Sequence, residues 1–203
     1  DDLVTGVQTC ALPIYELRTP LNGISGALQL LELEALTDKQ RELVELGTET
    51  SNQLMMTLND LLDLSRLVAG KLSLSPQICS LSACLEETER MTRSINHSQE
   101  VKLFFKIDKG LDKLVLVDQT RLNQILMNLI VNALKFTEAG EVAVSVRPVG
   151  LTPDNLTIKA LVLDTGKGMT PEFATTVFEP FRQAQEGTDR QYDGAGLGLA
   201  IVK

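Results

Sequence analysis

Apolar residues recur at helical spacing over two long stretches in the first third of the chain. Leu17, Leu21, Ile24, Leu28 and Leu31 step by four and three in alternation, the seam of a helix that packs on a neighbour. Pro20 falls inside this pattern and predicts a bend. Thr37-Asp38-Lys39-Gln40 reads as a capping box opening a second helix. That helix is apolar at Leu43, Leu46, Leu54, Leu58, Leu61, Leu64 and Val68, and Gly70 stops it just past Ala69. Two such helices cannot bury their stripes as an isolated pair. Pairing with a second copy into a four-helix bundle is the simplest solution. The alternative is packing of the hairpin on its own downstream domain.

From Leu72 the rhythm changes. Leu72–Ser75 alternates like a strand, and Ser80 to about Ile95 reads as a helix carrying Leu81, Leu85 and Met91. Val101–Ile107 and Lys113–Asp118 are strand-like, and Arg121–Thr137 is one amphipathic helix with Leu122, Ile125, Leu126, Leu129, Ile130 and Ala133 on its apolar stripe. Glu141–Arg147 alternates as a half-buried strand, Pro148–Asn155 reads as a loop, and Leu156–Leu163 is a strand delivering Asp164 at its end. Arg182–Asp193 is polar without clear periodicity, a candidate lid, and an apolar helix follows over Leu197–Val202. The predicted fold class is α+β: an antiparallel helical hairpin over 15–70, then an α/β sandwich over 71–203.

Composition narrows the function. A formal net charge of −8 on 203 residues argues against nucleic-acid binding and against direct contact with an anionic membrane. No apolar run reaches the ~20 residues of a membrane span. Cys10, Cys79 and Cys84 lack paired metal-ligand spacing and fit a reducing, cytoplasmic setting rather than a disulfide framework. His97, the single histidine, falls in the polar stretch Asn96–Glu100 and reads as a solvated loop residue.

Some residues suit chemistry. Asn128 and Asn132 lie four apart on one helical face with Lys135 beside them; two carboxamides and an ammonium can seat a hydrated divalent cation carrying phosphates. Asn123 lies off that stripe and receives no role. Asp164, at a strand end and followed by Gly166 and Gly168, is a carboxylate where backbone can approach a ligand closely. Gly194, Gly196 and Gly198 open the last helix, where backbone N–H groups attract phosphate oxygens. Each feature alone is compatible with an ordinary turn or a polar helix face.

Their order is more specific. Arg121–Thr137, Asp164-Thr-Gly-Lys-Gly168, Val177-Phe-Glu-Pro-Phe-Arg-Gln183 and Gly194-Ala-Gly-Leu-Gly-Leu199 resemble the N, G1, F and G2 boxes of the sensor histidine kinases, the two-component branch of the GHKL ATPases. Upstream, Tyr15-Glu-Leu-Arg-Thr-Pro-Leu21 resembles the H box, usually His-Glu-Leu-Arg-Thr-Pro-Leu. The resemblance implies a homodimer through the hairpin and a GHKL-type ATP-binding domain. In that family the ATP γ-phosphoryl passes to a histidine, here position 15, and then to an aspartate of a response-regulator receiver domain. It implies that Asn132 with Asn128 holds Mg²⁺, Lys135 meets phosphate, Phe136 flanks adenine and Asp164 accepts from the adenine amine. Glu16 becomes the general base and Thr19 the residue placing water for the reverse phosphatase reaction. Family members continue beyond the position of Lys203 through a closing strand, so a C-terminally truncated domain is expected. Anchoring of a longer protein in the inner membrane is compatible with the resemblance.

Three departures stand out. Tyr15 replaces the acceptor histidine, and its phenol titrates near pH ~10 against ~6.5 for imidazole. Asp193 and Ala195 depart from the usual Gly-Gly-Thr-Gly-Leu-Gly-Leu; the first brings a carboxylate near the expected phosphates. Val4–Ile14 lacks periodicity and any targeting signature, and resembles one reading frame of a common short-read sequencing adaptor. The adaptor's leftover T would convert a His codon into the Tyr15 codon, so residues 1–14 are expected to be a non-native leader. Two other readings stay open: a degenerate, nucleotide-binding dimeric scaffold resting on Tyr15, Asp193 and Ala195, and another GHKL ATPase of the topoisomerase or chaperone kind. The H-box hairpin and the absence of a basic surface argue against the latter.

Overall fold

The computed structural model describes residues 2–96, 98–183 and 196–202, with side chains from residue 16 onward. They form two compact units, residues 2–72 with 196–201, and residues 73–183.

The first unit is an antiparallel pair of helices, α1 (Asp2–Glu32) and α2 (Asp38–Val68). The start of α2 is the predicted capping box: Gln40 N–H donates to Thr37 Oγ1, and Thr37 N–H donates to Gln40 Oε1 at 2.9 Å. Its end is a glycine cap, with Gly70 at φ 62°, Gly70 N–H on Leu67 O and Lys71 N–H on Arg66 O. Between the helices, Leu21, Leu58 and Leu62 bury one another, and the Ser25 and Ser51 hydroxyls meet at 2.7 Å. This pair favours one axial register, because a slip would leave the buried Ser51 hydroxyl unpaired. A short helix, α6 (Gly198–Val202), joins this unit, with Leu197 and Ala200 buried against Leu64.

Although Val4–Ile14 lacks helical periodicity, α1 runs through it and through Pro20. Extending a helix already nucleated downstream needs only one new hydrogen bond per residue, so periodicity is not required for backbone helicity.

The second unit is an α/β sandwich. Strands β2 (Val101–Ile107), β4 (Gly140–Leu151) and β5 (Leu156–Asp164) form a mixed sheet ordered β2-β4-β5, parallel between β2 and β4 and antiparallel between β4 and β5. Inward residues Val101, Leu103, Val142, Val144 and Val146 meet Leu81 and Leu85 of α3 (Leu81–Ile95) and Leu126 and Ile130 of α4 (Gln119–Lys135). Strands β1 (Gln77–Ser80) and β3 (Leu114–Val117) form a separate antiparallel ribbon, and a short helix α5 (Pro171–Thr176) follows β5.

Two boundaries differ from expectation. The alternation at Leu72–Ser75 is not a strand; the strand is Gln77–Ser80, the segment that registers with β3. Pro76 offers no ladder donor, and Ser75 N–H is taken by Asp118 Oδ2 at 2.8 Å. Likewise Pro148–Asn155 is not all loop: β4 continues to Leu151 across a register shift between Pro148 and Gly150, a bulge that absorbs the missing proline donor. His97 lies outside the described residues.

Asp118 links these parts. Its carboxylate caps α4 by accepting from Arg121 N–H while also holding Ser75 N–H. The Ser75 and then the Arg121 N–H groups keep this carboxyl below the usual carboxylate range. A depressed folded-state pKa contributes stability above the unfolded value and loses it as pH falls through the folded one. The urea midpoint should therefore decline below about pH 4, and less steeply in Asp118→Asn, which keeps an oxygen acceptor without ionising. Equal slopes in parent and variant would show that Asp118 has no part in the acid sensitivity.

Candidate functional site

The site in the second unit is built where the end of α4 meets the loop after β5. Helix α4 has an obligatory inner stripe of Leu126, Ile130 and Ala133, which turns Asn128 and Asn132 to a half-buried flank. Asn123 serves the fold instead, because the Thr88 hydroxyl of α3 donates to its Oδ1 at 2.8 Å. The helix closes at Phe136, whose N–H donates to Asn132 O at 3.1 Å, and the buried Thr137 hydroxyl donates back to Ala133 O at 2.8 Å.

Strand β5 delivers Asp164 at its last position, as the pattern predicts. Asp164 Oδ1 accepts from Gly166 N–H at 3.0 Å, which folds the chain back on itself. Gly166 then lies flat against the Phe136 carbonyl: a Cβ there would overlap that oxygen and carbon and crowd Asp164 Oδ1. Lys167 N–H donates to the same carbonyl at 3.3 Å. Gly168 is different, at φ 68° with open space around it, so its requirement is conformational. Thr165 anchors the other side by accepting Glu141 N–H at 3.0 Å.

These contacts gather Asp164, Gly166 and Phe136 into one small region. Phe136 is 36% exposed, and two ammonium groups lie over its ring, Lys135 Nζ at 5.4 Å and Lys167 Nζ at 5.6 Å from the centroid. An aromatic face with cations beside it and an exposed carboxylate nearby suits a planar heterocycle bearing a polyanion. Sequence reasoning passes over Lys167 and Thr165. The signal for Lys167 was present, a cation between two glycines, but its approach to Phe136 depends on the turn.

No three of His, Cys, Asp and Glu converge as a metal cluster among the described residues. Two neutral carboxamides four apart fit a partial shell for Mg²⁺, which keeps several waters and is held largely by substrate phosphates.

The other expected residues lie in the first unit. Glu16 and Thr19 are exposed on α1, three apart and so on neighbouring positions of one face. Tyr15 belongs to α1, and its side chain lies outside the described residues. Gly196, at φ 67°, and Gly198 precede and open α6, while Asp193, Gly194 and Ala195 lie outside the described residues, as does most of the expected lid. The grouping of 196–201 with the hairpin follows from α6 being apolar: Leu197 and Ala200 find cover on Leu61 and Leu64. Of the F-box rings, Phe178 and Phe181 are both exposed, and Phe181 adopts φ 61°, unusual for a residue with a Cβ.

Residues 15–70 match the family described as His Kinase A (phospho-acceptor) domain, and 117–203 match the histidine kinase-, DNA gyrase B- and HSP90-like ATPases. The chain is 40% identical over 189 residues to autoinducer 2 sensor kinase/phosphatase LuxQ of Vibrio cholerae, covering 93% of this chain and 22% of LuxQ. It is 35% identical to signal transduction histidine-protein kinase BarA of Escherichia coli, covering 93% of this chain and 21% of BarA. It thus spans about a fifth of the length of these curated relatives. Among solved structures, full-length ShkA in complex with AMPPNP superposes with a TM-score of 0.72 at 34% identity, covering 98% of this chain and 39% of ShkA. Acinetobacter baumannii histidine kinase AdeS gives 0.56 at 24% identity over 93% of this chain and 83% of AdeS, a likeness of fold.

The two glycines of the loop should respond unequally to alanine. Gly166→Ala forces a methyl into the Phe136 carbonyl and should cost about 1–3 kcal/mol, with a lower urea midpoint. Gly168→Ala meets only the cost of a positive φ, about 1 kcal/mol. The reverse ranking would mean that the join between loop and helix is not as tight as described.

Proposed function

Because the chain belongs to the two-component sensor histidine kinases, we propose that it is an ATP-dependent phosphotransfer core whose acceptor is residue 15. The observation carrying this reading is the joined α4–β5 site, where Phe136, two lysines and Asp164 lie together downstream of a phospho-acceptor hairpin. Phe136 would flank the adenine ring and Asp164 would accept a hydrogen bond from its amine. Lys135 would meet phosphate oxygens, and Asn128 and Asn132 would complete the shell of Mg²⁺. When bound, that ion neutralises charge on the transferring group. Gly166 and Gly168 shape the loop; the phosphate role of Gly194, Gly196 and Gly198 is carried by resemblance alone.

With histidine at position 15, an imidazole nitrogen there would attack the γ-phosphorus, the bond to the bridging oxygen breaking as ADP leaves. Glu16 removes the imidazole proton, and Thr19 positions water for hydrolysis in the reverse sense. A receiver-domain aspartate then takes the phosphoryl group. Tyr15 is a poor substitute, because a phenol is ordinarily protonated at neutral pH and is then a weak nucleophile.

The hairpin supports self-association. Leu17, Ile24, Leu31, Leu43, Leu46 and Leu54 are each about half exposed, a stripe that a second hairpin would cover. No helix among the described residues is long and apolar enough to cross a membrane.

Tyr15 favours a second reading in which the chain binds nucleotide and signals without transfer. Resequencing the locus with different library chemistry separates the two: a His codon is expected at position 15, and a genomic Tyr codon supports the scaffold. In the full-length reading frame, Tyr15→His should acquire an acid-labile label from γ-labelled ATP that the Tyr form lacks. No label in the His form would overturn the kinase assignment.

A further inference from the structure

The second unit contains a pair of reactive side chains that the phosphotransfer reading does not use. Cys79 lies in β1 and Cys84 in the first turns of α3, and the Cys84 thiol donates to the Cys79 sulfur at 3.2 Å. The turn between them is held by Ser80, whose hydroxyl caps α3. Pleating sets the orientation: Ile78 is 74% exposed on the outer face of the ribbon, so its neighbour Cys79 points the other way, toward α3. Cys84 is buried and Cys79 only half-buried.

We propose that Cys79 and Cys84 form a peroxide-sensitive dithiol that closes to an intramolecular disulfide. The more accessible Cys79 sulfur attacks a peroxide oxygen, the O–O bond breaks, and Cys79 becomes a sulfenic acid with release of water. Cys84 Sγ then attacks the Cys79 sulfur. The S–O bond breaks, hydroxide leaves, and it takes the Cys84 proton as a second water. Two thiols are oxidised and one hydrogen peroxide is reduced. Burial, and then the hydrogen bond to Cys79, pushes the Cys84 thiol above its ordinary range, so it stays protonated at neutral pH and acts second.

The sulfurs must close by only about an ångström to reach bonding distance. The bond would tie β1 to the first turns of α3. That helix is joined to α4 by Thr88 on Asn123 and by Gln119 Nε2 on Glu87 Oε2 at 2.7 Å, so the crosslink bears on the helix carrying Asn128 and Asn132. A disulfide closing so short a loop is easily reduced again, which suits a reversible modification.

The test uses the whole chain in a Cys10→Ser background, treated with limiting hydrogen peroxide, unfolded, alkylated and digested with trypsin. Both sulfurs fall in the single peptide 72–90. That peptide should lose two hydrogens and all alkylation, and dithiothreitol should restore both alkyl groups. In Cys84→Ser, dimedone should trap a sulfenic acid on Cys79; in Cys79→Ser, Cys84 should remain fully alkylatable. Persistence of both thiols, oxidation to sulfonic acids without a crosslink, or oxidation of Cys84 when Cys79 is absent would each overturn the proposal.

Discussion

The candidate site depends on backbone touching backbone: the α-carbon of Gly166 against the carbonyl of Phe136. Only a residue without Cβ allows this approach, and it fixes two segments that are 30 positions apart in sequence. On one side, the helix has just ended and its last carbonyls need partners; Lys167 N–H supplies one. On the other, β5 has just ended, and Asp164 folds the loop by capturing Gly166 N–H. The same contact therefore positions the carboxylate, the aromatic ring and both lysines.

Charge follows from this arrangement. The chain is acidic overall, yet Lys135 and Lys167 converge on one ring, a local reversal of sign. A site for a polyanion needs such a reversal, because the long-range field of the chain repels the ligand. In the proposed reading, the carboxylate of Asp164 serves there as an acceptor for a neutral amine. The sheet supplies rigidity beneath: Val142, Val144 and Val146 are essentially buried, and β5 packs on that core through Ile158 and Val162 before it reaches the exposed Asp164.

Much of this was legible in the sequence, and the reasons for the rest are particular. The capping box at Thr37, the glycine stop at Gly70, the strand at Val101–Ile107 and the delivery of Asp164 are all local effects, encoded within a few residues. The strand at Gln77–Ser80 was not, because its existence depends on a partner some way downstream, with Cys79 opposite Val115. Leu72–Ser75 alternates just as well but has no such partner. The bulge past Pro148 and the helix over Val4–Ile14 are likewise decided by neighbours rather than by composition. At the site, Asn128 and Asn132 could be paired from spacing alone, whereas Lys167 needed the Gly166 turn to be seen. Asn123, which lies off the Asn128–Asn132 stripe, is the acceptor that ties α4 to α3.

The central claim is that the α4–β5 join is a nucleotide site, and calorimetric titration of the full-length protein with magnesium and a non-hydrolysable ATP analogue tests it most directly. Saturable one-site binding is expected, falling at least tenfold in Asp164→Asn with the urea midpoint little changed. Unsaturable binding, or equal affinity in parent and variant, would contradict it.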